Sequence, residues 1–277
     1  MTVGAALASA SDRLEAAGCD SPRVDAEILV AHVLGVRRSE LALEGEHSLS
    51  DDRLEALEAV VVRRERREPL AYVLGEWGFR RLTLNVDSRV LVPRPETEVV
   101  VERCLARIEN LSEPRVLDVG TGSGAIALAL GDEHPRARVT GIDVSPGALE
   151  VAASNALRTG LAVELQEWDL FGGLPGGPWD LVVSNPPYVL PEEIGTLAPE
   201  VRDWEPTDAL VGEGATEAVA QGALAVLRRG GGALVLEVAD GDADRVEALL
   251  RDLGYVGVST TRDLAGRDRV VEGACGS

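Results

Sequence analysis

The chain contains no lysine. All 27 of its basic residues are arginine, set against 47 acidic residues for a net charge of −20. An all-arginine basic set in an Ala/Gly/Val-rich sequence reflects a GC-rich genome rather than a function. The acidity argues against a surface that tracks DNA or RNA, because phosphate backbones are gripped by clustered positive charge. Cysteine is scarce: Cys19, Cys104 and Cys275 are odd in number and far apart, giving neither a disulfide framework nor metal-ligand spacing. A reduced, cytoplasmic setting is expected. His32, His47 and His134 show no pairing suited to zinc, and no metal is expected. No apolar run approaches the ~18 residues that cross a bilayer. No charged segment precedes an apolar core at the N-terminus, so no secretory leader is expected. What is plentiful is apolar side chain, 45% of 277 residues. That is enough to bury a core in one large domain or two smaller ones.

The first 75 residues read as helices. Ser21-Pro22 combines an N-cap with proline at the first helical position, Val24, Ile28 and Val33 recur near the helical period, and Gly35 sits where a C-terminal cap belongs. Ser50 opens a further helix with the stripe Leu54, Leu57, Val60 and Val61. It runs into Arg63-Arg64-Glu65-Arg66-Arg67, which reads as a solvated helix end or, alternatively, as a docking patch for an acidic or RNA-containing partner. Residues 76–93 read as a linking hairpin, with Leu82, Leu84 and Val86 alternating and Asp87-Ser88 able to turn the chain. From Arg115 onward strands alternate with helices. Strands are expected at Val116–Val119, Val139–Asp143, Ala162–Gln166, Leu181–Ser184, Ala233–Val238, Val256–Thr260 and Val270–Glu272. Helices are expected at Ala125–Leu130, Pro146–Thr159, Glu217–Leu227 and Ala243–Leu253. This is the pattern of a doubly wound, mostly parallel α/β sheet.

Two motifs carry chemistry. The strand Val116-Leu117-Asp118-Val119 runs directly into Gly120-Thr121-Gly122-Ser123-Gly124, and a helix begins at Ala125. Glycines permit a tight turn and close approach of a ligand to the backbone. Asp143 ends the next strand, about 20 residues on, where a carboxylate accepts from ribose hydroxyls. A nucleoside-containing cofactor is therefore expected at this sheet edge. The spacing Gly120-x-Gly122-x-x-Ala125 also satisfies the looser dinucleotide fingerprint, so NAD stays open at this point. The Asp-x-Gly-x-Gly-x-Gly arrangement fits S-adenosylmethionine (SAM) better, with Asp118 suited to its ammonium group directly or through water. The second motif, Asn185-Pro186-Pro187-Tyr188, follows the apolar strand Leu181–Ser184. Its prolines make a stiff loop that presents two acceptors, the Asn185 side-chain oxygen and the Pro186 carbonyl. Two convergent acceptors suit a planar NH₂ group, whose nitrogen is a poor nucleophile until it is held and its developing charge is favoured. Tyr188 can pack against such a group.

Asn185–Tyr188 together with Gly120–Gly124 resembles the class I amino-methyltransferases, a motif shared by N6-adenine DNA methyltransferases and protein glutamine methyltransferases. Further segments resemble the HemK/PrmC family: Glu68–Gly75, Phe79, Val90-Leu91-Val92-Pro93-Arg94-Pro95-Glu96-Thr97-Glu98, Arg202–Pro206 and Asp263–Arg269. The resemblance implies a seven-stranded SAM-dependent methyltransferase domain over residues 94–277, with a substrate-recognising helical domain over 1–75. It implies a cytoplasmic enzyme that methylates the glutamine side-chain nitrogen in the Gly-Gly-Gln motif of peptide chain release factors, with no direct binding of nucleic acid or membrane. Gly120, Thr121, Gly122, Ser123 and Gly124 would wrap the methionine part of SAM, and Asp143 would hold its ribose. Asp169 and Leu170 would flank adenine. Many relatives carry an aromatic where Leu170 stands, and here Trp168 lies nearby. Asn185, also a cofactor contact, would hold the substrate amide with Pro186, Pro187 and Tyr188, and Arg94 to Thr97 would lie near the site. Gly212-Glu213-Gly214 departs from the usual Asp-Gly-Leu. Alternatives are a ribosomal-protein glutamine methyltransferase, an N6-adenine nucleic-acid methyltransferase, an NAD-dependent oxidoreductase, which leaves Asn-Pro-Pro-Tyr unexplained, and a non-catalytic SAM-binding module.

Overall fold

The computed structural model describes residues 1–277 as two compact units, one formed by residues 1–76 with 197–204 and the other by 77–196 with 205–277. In the first unit, α1 (Val3–Ala16), α2 (Pro22–Leu34), α3 (Leu41–Glu44), α4 (Asp51–Glu65) and α5 (Leu70–Leu74) enclose a core that includes Leu14, Leu29, Leu34, Leu57 and Val61. Helix α2 starts on Pro22 and ends on Gly35 in the left-handed region, at φ 69°. Its buried face is Ala26, Leu29, Val30 and Leu34, while Val24 is exposed and Ile28 and Val33 are half-buried. Apolar residues occupy most faces of this helix, so periodicity did not single out the packed one.

The arginine run is neither solvated nor free for a partner. Arg64 is buried and bonds Asp25 and Glu200, both at 2.8 Å, while Arg67 grips Glu200 at 2.6 and 2.7 Å. Arg63 pairs with Glu68 and donates to the carbonyls of Tyr72 and Val73. These guanidiniums close the end of α4 onto their own unit.

The hairpin is shorter than expected. Strands β1 (Glu76–Phe79) and β2 (Leu82–Asn85) turn at Arg80, whose φ is 51°. The turn is held because Glu98 accepts from the Arg80 backbone N–H and Glu133 from its guanidinium. Asp87 does begin a turn, closed by Val90 N–H to the Asp87 carbonyl at 3.1 Å, but beyond the paired strands.

In the larger unit, α6 (Thr97–Ile108) precedes β3 (Arg115–Val119), α7 (Ala125–Glu133), β4 (Arg138–Asp143), α8 (Pro146–Thr159), β5 (Glu164–Glu167) and β6 (Leu181–Ser184). After α9 (Pro199–Arg202) and α10 (Thr207–Leu210) come α11 (Ala215–Val226), β7 (Ala233–Glu237), α12 (Ala243–Asp252), β8 (Tyr255–Arg262) and β9 (Asp268–Cys275). The seven-stranded sheet has the order β5-β4-β3-β6-β7-β9-β8, with only β9 antiparallel to its neighbours. Strand alternation sends side chains to two cores. Val116, Leu181, Val183 and Val235 join α6, α7 and the hairpin residues Phe79 and Leu84, whereas Leu117, Val182, Leu234 and Leu236 join α11 and α12. Strand order reverses between β3 and β6, the crevice where open α/β sheets place ligands.

The expected domain of residues 94–277 is not continuous in space. Residues 197–204, which include α9, fold with the helical unit, where Arg64 and Arg67 hold Glu200.

Candidate active site

A cavity of about 750 Å³ opens at the C-terminal edge of the sheet. Its walls come from the segments that follow four adjacent strands: Gly120–Ser123 after β3, Asp143–Pro146 after β4, Trp168–Phe171 after β5, and Asn185 and Pro187 after β6. Of the residues expected to contact a cofactor or substrate, Gly120, Thr121, Gly122, Ser123, Asp143, Asp169, Leu170, Asn185 and Pro187 line it. Asp118, Gly124, Pro186 and Tyr188 do not.

The glycine loop is shaped from behind. Asp118 is buried and accepts from Thr121 Oγ1 at 2.7 Å and from the Ala127 N–H near the start of α7 at 3.2 Å, leaving its Oδ1 without a partner. Burial pushes its carboxyl up to about 7 against those two bonds, and nearby Asp143 adds to the rise. Asp118 therefore supports the loop rather than forming the cavity wall. Gly141 admits Thr121: a Cβ there would stand 2.8 Å from Thr121 Oγ1. Gly124 is a packing residue, with φ 81° and Leu128 and Ala152 pressed against the place a Cβ would take. Asn155, fully buried, ties the loop to the hairpin by donating to the carbonyls of Ser123 (2.9 Å) and Asn85 (3.0 Å) and accepting from the Asn85 N–H.

Asp143 closes over the loop. Its carboxylate accepts from the Gly122 and Ser145 N–H groups, each at 2.9 Å, and burial raises its proton affinity despite those bonds. Asp169 accepts from the Phe171 N–H and so shapes the turn Leu170–Gly172. Trp168 turns its indole N–H to the Gly173 carbonyl. Phe171, an exposed aromatic on the cavity wall, was missed in the sequence; it stands one place beyond Leu170.

On the β6 side, the Asn185 amide nitrogen lies 3.5 Å from Thr97 Oγ1, and Thr97 donates to Glu237 Oε2 at 2.7 Å. Glu237 is the last residue of β7, beside β6, and its carboxyl is pushed up to about 7, chiefly by burial. Nothing in its apolar run marked it except that a carboxylate interrupts Leu234-Val235-Leu236 and Val238. Tyr188 is partly exposed at the rim, and burial of its hydroxyl, with the charge of Glu237 nearby, raises its phenol. Arg94 lines the cavity and grips both oxygens of buried Glu205, at 2.6 and 2.7 Å. Gly212 also lines it, and a Cβ there would fall 2.3 Å from the Pro187 ring. The departure Gly212-Glu213-Gly214 thus makes room for the proline loop. One cavity accordingly joins a glycine-rich strand-to-helix turn to an amide backed by a hydroxyl and a carboxylate.

Residues 5–75 match the family described as PrmC N-terminal domain, and residues 97–226 match Methyltransferase small domain. Proteins named release factor glutamine methyltransferase are similar over nearly the whole length. That of Xylella fastidiosa (strain Temecula1) is 42% identical over 98% of this chain and 97% of its own. That of Caulobacter vibrioides is 41% identical over 99% and 96%, and that of Deinococcus radiodurans 42% over 96% and 95%. Among solved structures, a methyltransferase from Pyrococcus furiosus shares the fold, with a TM-score of 0.54 and 19% identity over 71% of this chain and 90% of that one.

Proposed function

The chain belongs to the PrmC family of release factor glutamine methyltransferases, and from that premise we propose that it transfers a methyl group from SAM to the side-chain amide nitrogen of the glutamine in the Gly-Gly-Gln motif of release factors. The observation that carries this reading is the shared cavity: the loop Gly120–Ser123 and the pair Asn185 and Pro187 face one space. The space is of the size that encloses a small-molecule cofactor.

The residues present suit SAM. The loop offers backbone close to a ligand, Asp143 retains lone pairs beyond the two it uses, and Phe171 supplies an apolar face. Asp118 brings a partnerless buried oxygen, the acceptor type an ammonium needs, from behind Thr121. SAM would supply a methyl already activated on a sulfonium. The chain's own task is then to orient the nucleophile. Asn185 Oδ1 and the Pro186 carbonyl accept the two amide hydrogens of the substrate glutamine, which turns the nitrogen lone pair to the methyl and favours the positive charge that grows on it. The proton can leave after transfer, so no residue need remove it first. The helical unit would recognise the release factor protein.

Labelled SAM supplied with release factor, ribosomes and DNA tests the reading. Label is expected on the release factor glutamine. Label on a ribosomal protein or on adenine instead would overturn it. Asn185→Ala is expected to lower kcat by about 10²–10³, as for loss of one oxyanion-hole donor. SAM affinity, measured separately by calorimetry, should change little.

A further inference from the structure

Asn185 is useful only if its amide faces the right way round. With the oxygen toward the cavity it accepts from a substrate NH₂; flipped, it presents its own NH₂ to another. We propose that Thr97 and Glu237 are positioning residues that fix this orientation, Glu237 taking the Thr97 proton so that Thr97 is left able only to accept from Asn185. This deepens the reading of Asn185 as the holder of the substrate amide and rests on it.

The argument is one of donor and acceptor supply. Thr97 has a single hydroxyl hydrogen, and at 2.7 Å it is committed to Glu237 Oε2. What Thr97 Oγ1 can still offer is a lone pair, and the Asn185 group at 3.5 Å is accordingly the NH₂. That leaves Asn185 Oδ1 for the cavity. Both ends of the relay are anchored: Thr97 begins α6 and is buried, and Glu237 ends β7 and is buried. Nothing else in the site requires an ionisable group at position 237, where its neighbours on β7 are all apolar.

The relay works in this direction only while Glu237 is ionised. A protonated Glu237 can donate to Thr97, whose own hydrogen then turns to Asn185 and attracts the oxygen away from the cavity. Burial holds this carboxyl near 7. Arg269 from β9 and Arg94 pull it down, while Glu96 pushes it up and the Tyr188 hydroxyl also lies within its field.

The experiment measures release factor methylation at pH 8 together with the side-chain amide signals of protein labelled with ¹⁵N-asparagine. The chain has four asparagines, so the NH₂ pair absent from Asn185→Ala identifies Asn185. Thr97→Val is expected to lower kcat by about 10- to 100-fold through misorientation, with KM for release factor and SAM affinity within about threefold, and to move the Asn185 pair. Thr97→Ser should restore both. In the wild type kcat should rise with pH as a single proton leaves near 7, and in Glu237→Gln that rise should be flat, which keeps the relay testable if Thr97→Val fails to fold. Wild-type kcat in Thr97→Val, or an Asn185 pair that does not move, would overturn the proposal. A wild-type enzyme that leaves release factor unlabelled while the Asn185 pair responds as described overturns the functional reading and leaves the relay standing.

Discussion

Asp118 shows how one side chain can hold a loop and carry a cost for it. Its carboxyl is fully buried, has two hydrogen bonds on one oxygen and none on the other, and titrates near 7 in the folded chain against 3.8 unperturbed. A folded-state value above the unfolded one means that the protonated form is favoured by folding. Its contribution is therefore fully present below about pH 4 and is lost as pH rises through about 7. Asp118→Asn keeps an oxygen for Thr121 and Ala127 and cannot ionise. Between pH 5 and 8, urea unfolding without SAM should show wild-type stability falling relative to this variant by about 3 kcal/mol, at roughly 1.4 kcal/mol per pH unit. Parallel pH profiles would show that Asp118 is paired by something other than the loop. The residue was legible as functional because it opens the glycine motif; its place behind the loop was not, since that depends on Gly141 leaving space for Thr121.

Among the elements, the strand-end loops determine the chemistry and were the best-read part of the sequence. Leu181–Ser184 and Pro146–Thr159 lie where the apolar run and the Ser145-Pro146 start signal put them. Element ends elsewhere shifted by one to three residues, as at β5 and β8, where polar and apolar residues mix and pairing with the neighbouring strand sets the length. What the sequence hid is contact between distant elements. Gly212 meeting Pro187, and Thr97 meeting Glu237, join segments whose separation along the chain leaves no local pattern. The first of these pairs makes a prediction. Gly212→Ala puts a methyl into the Pro187 ring, and a proline ring cannot rotate aside. Overpacking costs about 1–3 kcal/mol, so the displaced Asn-Pro-Pro-Tyr loop should lower kcat about 5- to 100-fold. Calorimetric SAM binding should be nearly unchanged, and unaltered kcat would mean the loop yields without consequence.

At the scale of the molecule, periodicity and charge separated a helical part from a sheet part, with net −4 over residues 1–82 and −16 over the rest. They missed that the helical unit takes its last piece from residues 197–204. The reason is physical: the join is made by ion pairs, and an arginine-rich helix end looks the same in sequence whether water or a distant glutamate receives it. Arg64→Ala would leave buried Asp25 without its guanidinium and Glu200 with Arg67 alone. Removing one partner of a buried pair costs about 3–5 kcal/mol, which thermal unfolding should report as a lowered midpoint. A midpoint unchanged from wild type would return the arginine run to the status of surface charge.

Because the chain enters the helical unit twice, that unit cannot be exchanged as a single cassette. A chimera that borrows residues 1–76 from a relative but keeps its own 197–204 would set foreign arginines against the native Glu200. The two stretches must be transplanted together, and substitutions in one are expected to be inherited with compensating changes in the other. The segment that returns from this excursion begins with Glu205, the residue that clasps Arg94 on the cavity wall. A graft at the recognition end is thus spliced one peptide bond away from the chemistry.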